Sequence, residues 1–297
     1  MQYLKRHYWL YIFLIPGFSY LLLFKYVPMA GIVIAFKDLS LTKGILNSDW
    51  VGWYHFETLL TSSNFYRVLR NSLLLSFYQI VWGFPAPILL ALMLNEVRHL
   101  AFKRVTQTII YFPHFISWVV MAGIVMSFLS PSTGIVNYVL HTLGFDSVAF
   151  LLKPEYFRSI IVSSEVWKEV GWGTIIYFAA ISGIDPTLYE SATIDGANRF
   201  QKMWHITLPG IAATIVILLL LKLGNILDNG FEQIYLLYNP MTYATGDVFE
   251  TYTFRIGLQQ GRISYGTAVG LFKAVVGFAL IMSANSLARK ISKKSIW

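Results

Sequence analysis

The chain has 297 residues, of which 56% are hydrophobic and 13% are charged. An average soluble domain is about one-quarter charged, so this chain has too few charged side chains to cover a surface that faces water. The formal net charge of +8 is not organised into a basic run with interleaved aromatic residues, so nucleic acid is not an expected partner and a membrane is the expected surrounding.

Six stretches are apolar and long enough to cross a bilayer, which requires roughly 20 residues in a helix. The first stretch follows a basic amino end, but it lacks a small-residue cleavage site and is therefore predicted to be a retained span rather than a signal peptide. In the second stretch, Pro85 and Pro87 are expected to kink the helix. The predicted spans are 8–26, 71–94, 106–128, 159–181, 210–227 and 265–287.

The fourth stretch is interrupted by Glu165, Lys168 and Glu169; leaving it out would place the two termini on opposite sides of the membrane. With all six spans and the amino terminus inside, the basic residues concentrate on the cytoplasmic side, as the positive-inside rule requires. Both termini are therefore predicted to be cytoplasmic. The cytoplasmic basic residues would be Lys5, Arg6, Arg98, Lys103, Arg104, Arg199, Lys202, Arg289, Lys290, Lys293 and Lys294.

The segments between the spans are too short to fold as separate globular domains, and no internal repeat or low-complexity linker is evident. We therefore predict one all-α polytopic membrane domain over residues 1–297. Within this domain, the predicted cytoplasmic loop at residues 185–210 contains the clearest functional pattern.

That loop combines several helix signals. Asp185 followed by Pro186 is typical of a helix start, and Gly196 interrupts the helix with a residue that tolerates positive φ. Phe200, Met203 and Trp204 then recur at helical spacing, before Leu208 and Pro209 open the next span. The pattern predicts a stiff helix–glycine–helix elbow that fits a groove on a partner protein.

The sequence of this loop, ESATIDGA followed by ITLPG, resembles the EAA loop of ABC importer permeases. It is most similar to the carbohydrate branch of that family. The resemblance implies a type I importer (MetI-like) fold in which the loop docks as a coupling helix into an ATPase subunit. Ser191 replaces the commoner Ala of the motif, and Met203 stands where Phe is frequent. The implied ATPase-coupling residues are Glu190, Ser191, Ala192, Asp195, Gly196, Ala197, Arg199, Phe200, Met203, Leu208 and Pro209.

Further segments along the chain, including TIIYFPHFISWVV and GFEQIYLLYNP, resemble sugar permeases for complex or acidic oligosaccharides. The resemblance implies a bacterial plasma-membrane protein that pairs with a second, related permease and receives sugar from an extracytoplasmic binding protein. Two separate ABC ATPase subunits would hold ATP and Mg, so that this chain itself would bind no cofactor.

Polar and aromatic residues at membrane depth are candidates for the transport pathway, because charge there is costly and calls for an explanation. Asn225, Asp228, Asn229 and Glu232 have a spacing that could place them on one helical stripe, and Glu165 could pair with Lys168. Structural networks, packing roles and interface anchoring remain open for all of them, and Lys25 and Lys222 are expected to snorkel or to form ion pairs. The candidate pathway residues are Tyr78, Gln79, Trp82, Glu165, Trp167, Lys168, Trp172, Asn225, Asp228, Asn229, Glu232, Gln233 and Lys273.

Other function classes have weaker support. The chain lacks GxxxxGK[ST], so it is not expected to hydrolyse nucleotides, and its six His residues and zero Cys residues form no recognisable metal-ligand motif. A secondary transporter would be expected to show inverted repeats. An intramembrane enzyme would need a carboxylate paired with a nucleophile or a metal site. Neither pattern is present.

Overall fold

The computed structural model describes residues 7–292, without the side chains of 284 and 287–292. The described part of the chain is predominantly helical. Several basic residues that support the predicted orientation lie outside the described residues or have side chains outside them, namely Lys5, Arg6, Arg289, Lys290, Lys293 and Lys294.

The α-helices follow one another with short connections. They are α1 Tyr8–Leu21, α2 Val27–Met29, α3 Gly44–Asn47, α4 Tyr54–Thr61, α5 Ser63–Tyr78, α6 Pro85–Glu96, α7 Leu100–Tyr111, α8 Trp118–Phe128, α9 Ile135–Thr142, α10 Pro154–Ser182, α11 Pro186–Ile194, α12 Arg199–Lys202, α13 Leu208–Gly224, α14 Phe231–Leu237, α15 Tyr243–Gly246, α16 Phe249–Thr253 and α17 Ile263–Ser292.

Shorter helical turns join or extend these helices. The wider π-helical turns are Leu22–Tyr26, Gln79–Gly83, Met203–Thr207 and Phe254–Gln259, and the tighter 3-10 turns are Ala30–Phe36, Phe112–Phe115, Phe150–Leu152 and Pro240–Thr242.

The chain divides into two compact units, one made of residues 7–65 and 252–274 and the other of 66–251 and 275–292. In the first unit, the long helix Tyr8–Phe36 leads directly into two short antiparallel strands, β1 Lys37–Asp38 and β2 Asp49–Trp50. Phe36 stacks on Trp50, with ring centroids 5.8 Å apart. These strands are the one departure from the all-helical prediction among the described residues.

The first unit also packs the start of α5 against α17. Phe65 is buried and meets Phe272 edge to face at 4.9 Å. The hydroxyls of Tyr252 and Tyr265 lie 3.2 Å apart, which joins α16 to α17.

The second unit is built around α10, whose 29 residues run between two apolar clusters. Phe157 and Ile161 lie in the first cluster, and Tyr177 and Ile181 lie in the second. Between them, Gly171 allows the backbone of α7 to touch α10, because a Cβ at this position would lie 1.9 Å from the carbonyl oxygen of Ile110. Any larger residue would therefore force the two helices apart.

Not all six predicted spans are both continuous and apolar enough to be recognised as membrane-crossing by length and composition. Among the described residues, four continuous helices are long and apolar enough to span a bilayer: Tyr8–Phe36, Ser63–Glu96, Arg199–Gly224 and Ile263–Ser283. A fifth is obtained if Leu100–Phe115 and Trp118–Phe128, which are bent by 103° at the break between them, count as one span.

The predicted fourth span exists as α10 and has sufficient length, but Glu165, Lys168 and Glu169 make it too charged to qualify by composition. In the second span, the irregularity lies at the π turn Gln79–Gly83, immediately before Pro85. Because Pro85 has no N–H to donate, the turn before it widens; the predicted kink thus takes the form of a bulge within one long helix.

Candidate functional site

The 185–210 segment begins where the sequence predicts. The carboxylate of Asp185 accepts a hydrogen bond from the backbone N–H of Thr187 at 3.0 Å and so caps α11. This backbone hydrogen bond is the main reason why the pKa of Asp185 lies below its ordinary value of 3.8, and a hydrogen bond from the Thr187 side chain lowers it further. The predicted start of the first helix of the elbow is confirmed.

Gly196 makes the predicted joint. Its φ is +77°, in the left-handed region, and Ala197 N–H closes the end of α11 by donating to the carbonyl of Ala192 at 2.9 Å. This is a common helix ending, and glycine is the residue best suited to it. A reciprocal capping box between Asn198 and Gln201 starts the next helix at once.

The second half of the elbow differs from the prediction. We expected a separate short helix before Leu208 and Pro209, but α12, the π turn Met203–Thr207 and α13 form one continuous helix of 26 residues, Arg199–Gly224. At 1.5 Å per residue it is about 38 Å long. The π turn lies just before Pro209, where the proline again removes a backbone donor.

Two hydrogen bonds brace the elbow. The hydroxyl of Tyr189 on α11 lies 3.0 Å from the hydroxyl of Thr207, and the ammonium of Lys202 donates to the hydroxyl of Thr193 at 2.7 Å. Because both bonds join α11 to the long helix, the two arms are held at a fixed angle.

The elbow presents large apolar side chains to its surroundings. Ile194 is 88% exposed, Phe200 75% and Trp204 67%, whereas the expected apolar contact residue Met203 packs inward with Leu208 against the cluster around Tyr177. Of the implied coupling residues, Glu190, Ser191, Asp195, Gly196, Arg199, Phe200 and Pro209 are exposed, and Ala192, Ala197, Met203 and Leu208 are half-buried.

The prediction of one polar helical stripe over residues 225–232 is wrong. Helix α13 ends at Gly224, and Gly230, with φ of +81°, separates it from α14. Residues 225–232 therefore do not share one helical face. Asn225, Asp228 and Glu232 are exposed, whereas Asn229 and Gln233 are buried.

The two buried amides join elements of the second unit. Asn229 Nδ2 donates to the carbonyl of Ser72 at 3.2 Å and to the hydroxyl of Ser76 at 2.8 Å. Gln233 Nε2 donates to the carbonyl of Ile161 at 2.7 Å and to the hydroxyl of Ser164 at 2.9 Å. Their contacts are those of structural residues.

The charged residues of α10 do not pair as predicted. Glu165 Oε1 lies 3.4 Å from Nζ of Lys222 on α13, not beside Lys168, and the expected ion pairing of Lys222 is confirmed. Lys168 Nζ donates to the carbonyl of His114 at 2.5 Å and lies 3.6 Å from Glu169 Oε1. The second oxygen of Glu169 is 2.8 Å from Nδ1 of His114.

The aromatic candidates fall into two places. Trp172 stacks on His114 with ring centroids 4.4 Å apart, whereas Tyr78, Trp82 and Trp167 line a groove of about 940 Å³ between the Gln79–Gly83 turn with α6 on one side and α10 on the other.

Two of the candidate pathway residues lie away from these aromatic sites. Gln79 is buried and donates to the carbonyl of Asn229 at 3.5 Å. Lys273 lies half-buried on α17 in the first unit.

The groove contains residues that sequence reasoning missed. Arg158 and Glu155 line it, but in the sequence Arg158 stands out only as a basic residue near a span end. The α10 residues that line the groove recur at the spacing of one helical face, and this spacing is the sequence pattern that could have pointed to Arg158. They are residues 155, 158, 159, 162, 163, 166 and 167. Within residues 7–292, no group of three His, Asp or Glu side chains is placed to hold a metal ion.

The long apolar helices and the broken span indicate a protein that crosses the membrane several times. Residues 60–295 match the family of binding-protein-dependent transport system inner membrane components, and the chain belongs to this family. It is therefore a transmembrane permease subunit of a binding-protein-dependent importer, and the type I importer fold predicted from the elbow is confirmed.

Individual relatives are similar over nearly the whole chain. Protein LplB of Bacillus subtilis (strain 168) is 47% identical over 100% of this chain and 93% of its own length. The polygalacturonan/rhamnogalacturonan transport system permease protein YteP of the same organism is 49% identical over 97% of this chain and 90% of its own.

Two crystal structures share the fold. One is of a bacterial ABC transporter involved in the import of the acidic polysaccharide alginate, with 48% identity, 98% coverage of both chains and a TM-score of 0.91. The other is of a bacterial alginate ABC transporter in complex with alginate pentasaccharide-bound periplasmic protein, with 48% identity, 99% coverage of both chains and a TM-score of 0.92.

Proposed function

We propose that this chain forms half of the translocation pathway of an ATP-driven sugar importer and that it transmits the motion of a separate ATPase. The observation that carries the proposal is the braced elbow, which continues without a break into the helix Arg199–Gly224. A force applied to such an elbow moves the whole helix as a rigid body.

The exposed face of the elbow is the proposed ATPase contact. Phe200, Trp204 and Ile194 are apolar anchors of the kind that fill a groove on a partner. Glu190, Ser191, Asp195, Arg199 and Pro209 lie around them. With both termini on the cytoplasmic side, the elbow faces the cytosol, where ATP and Mg are held by the ATPase and not by this chain.

The proposed assembly contains this chain, a second homologous permease, two ABC ATPase subunits and an extracytoplasmic sugar-binding protein. The chain itself is non-catalytic and spans the bacterial plasma membrane. The proposed cargo is an oligosaccharide derived from a polysaccharide. Two observations support it: the polysaccharide cargoes of the similar YteP and alginate proteins, and the aromatic groove of this chain, since aromatic faces suit the C–H surfaces of sugar rings.

The test is reconstitution. The chain is co-expressed with a candidate second permease, ATPase and binding protein, and uptake of oligosaccharide is measured in proteoliposomes with ATP present or absent. We expect the subunits to co-purify and uptake to require both ATP and the binding protein. Uptake by this chain alone under an ion gradient would instead identify an autonomous transporter, and failure of any ATPase to associate would remove the coupling role.

A further inference from the structure

The groove beside α10 has two chemically different ends. It extends from Glu155 to Trp167 along one face of α10, a length of about 18 Å at 1.5 Å per residue. Trp82 and Trp167, which are 65% and 46% exposed, form the aromatic part, whereas Tyr78 lies close enough to Arg158 to interact with its charge. Arg158 stands near the other end, in the first turns of α10.

Arg158 is held in place by neutral groups. Its Nε donates to the carbonyl of Thr245 at 3.2 Å, and its Nη2 donates to the amide oxygen of Asn71 at 2.8 Å. A guanidinium has five N–H groups, so most of its donor capacity is left for another acceptor. The two bonds fix the orientation of the planar fork, which reduces the entropy lost when a ligand binds.

The charge of Arg158 has no counter-ion in the described part of the chain. No Asp or Glu oxygen among residues 7–292 lies within 4.0 Å of its nitrogens. Glu155 lines the same groove one turn earlier, but it is exposed and its charge is solvated. A half-buried cation without a counter-ion favours an incoming anion.

We propose that Arg158 determines specificity by binding the carboxylate of an acidic sugar unit while the aromatic end of the groove packs against neighbouring rings. An arginine fork and a carboxylate form two parallel charge-assisted hydrogen bonds, which a neutral sugar cannot reproduce. This proposal rests on the proposed function as a sugar importer and adds the residue that distinguishes a charged cargo from an uncharged one.

The experiment compares trigalacturonate with its methyl ester, which keeps the shape of the sugar but removes the charge. Uptake of both is measured with the assembled importer and one binding protein throughout, so that the preference of the binding protein cancels between variants. We expect R158Q to lower the ratio of acidic to esterified uptake at least tenfold, because the loss of even one of the two charge-assisted hydrogen bonds has about that effect. R158K should retain part of the preference.

Glu155 provides a control of opposite sign. E155Q removes a negative charge from the same groove without touching the bonds to Asn71 and Thr245, and it should raise the ratio about twofold. If R158Q lowers uptake of both sugars equally and R158K restores neither, Arg158 is a structural residue and the proposal is overturned.

Two further measurements separate the remaining outcomes. Binding of the two trisaccharides to the purified complex, read by tryptophan fluorescence without ATP, tests Arg158 even if no uptake occurs. A binding preference that R158Q abolishes would then support the site while the importer function fails, and an unchanged preference would overturn the site alone. An effect of R158Q seen only in vesicles containing anionic phospholipid, and absent in zwitterionic phosphatidylcholine, would show that Arg158 binds an anionic lipid headgroup and would overturn the sugar site.

Discussion

Two polar segments of the second unit, 185–210 and 225–233, look alike in sequence but behave oppositely in the structure. In the first, Phe200 and Trp204 are turned outward and the polar side chains tie the segment to itself. In the second, Asn229 and Gln233 are turned inward and tie together helices that are far apart in sequence. One segment is organised as a contact surface and the other as a structural joint.

The difference shows that polarity alone does not identify a functional loop. A surface segment needs its own internal bonds to keep its shape, whereas a joint takes its shape from distant neighbours. Mutations in the two segments should therefore separate transport from stability.

The largest expected effect on transport is that of a substitution at the glycine joint of the elbow. In Gly196→Val, the new residue must adopt φ of +77°, which costs roughly 1–2 kcal/mol for a residue with a Cβ, so the angle between the two arms will change. We expect ATP-driven sugar uptake to fall at least tenfold while insertion and basal ATPase activity persist.

The matched control for Gly196→Val is Gly144→Val. Gly144 also has a positive φ, +84°, and also has open space where a Cβ would stand, but it lies outside the elbow. Equal loss of uptake in both variants would attribute the effect to backbone strain in general and not to coupling.

The next effect sharpens the assignment of the contact surface. Replacing Phe200 and Trp204 together by Ala removes two exposed aromatic anchors, and we expect roughly 1,000-fold weaker association with the ATPase subunit, as for two interface hot spots. Co-purification and titration with the ATPase measure it. Phe145→Ala, at an equally exposed position outside the elbow, should leave the association unchanged.

A substitution in the structural joint, segment 225–233, should lower the stability of the protein. Asn229→Ala leaves the buried hydroxyl of Ser76 and carbonyl of Ser72 without their shared donor, a loss of about 2 kcal/mol. Thermal unfolding of the purified complex should show a lower midpoint. Asn225→Ala, at an exposed position, should leave the midpoint unchanged; a reverse order of the two variants would contradict the structural role.

The smallest effect concerns the ion pair between Glu165 and Lys222. Both side chains are partly exposed, at 21% and 41%, so Lys222→Met should lower stability by only about 1 kcal/mol. The double variant Glu165→Gln/Lys222→Met, which leaves no unpaired carboxylate, should recover most of the loss in the same thermal assay. A double variant less stable than either single one would show that the pair is not the relevant interaction.

How much of the site the sequence could reveal depended on the range of the interactions. Asp185 and Gly196 act on residues within a few positions of themselves, and both were predicted correctly. The continuation of α12 into α13, where Met203 and Leu208 pack on the cluster around Tyr177, and the end of α13 at Gly224, which packs against Ile281, involve distant residues, so the separate short helix and the polar stripe were wrong. Arg158 is positioned by hydrogen bonds to Asn71 and Thr245, each 87 positions away. No local sequence pattern could show these contacts.

The break in the third apolar stretch has a consequence for how the protein is made. The carbonyl of His114, beside the 103° bend, receives its hydrogen bond from Lys168, a residue 54 positions later in the chain. When the bent pair of helices first leaves the ribosome, its partner has not yet been translated. The hydrogen bond to His114 can form only after α10 has been synthesised, so the polar surroundings of the bend are completed late in translation.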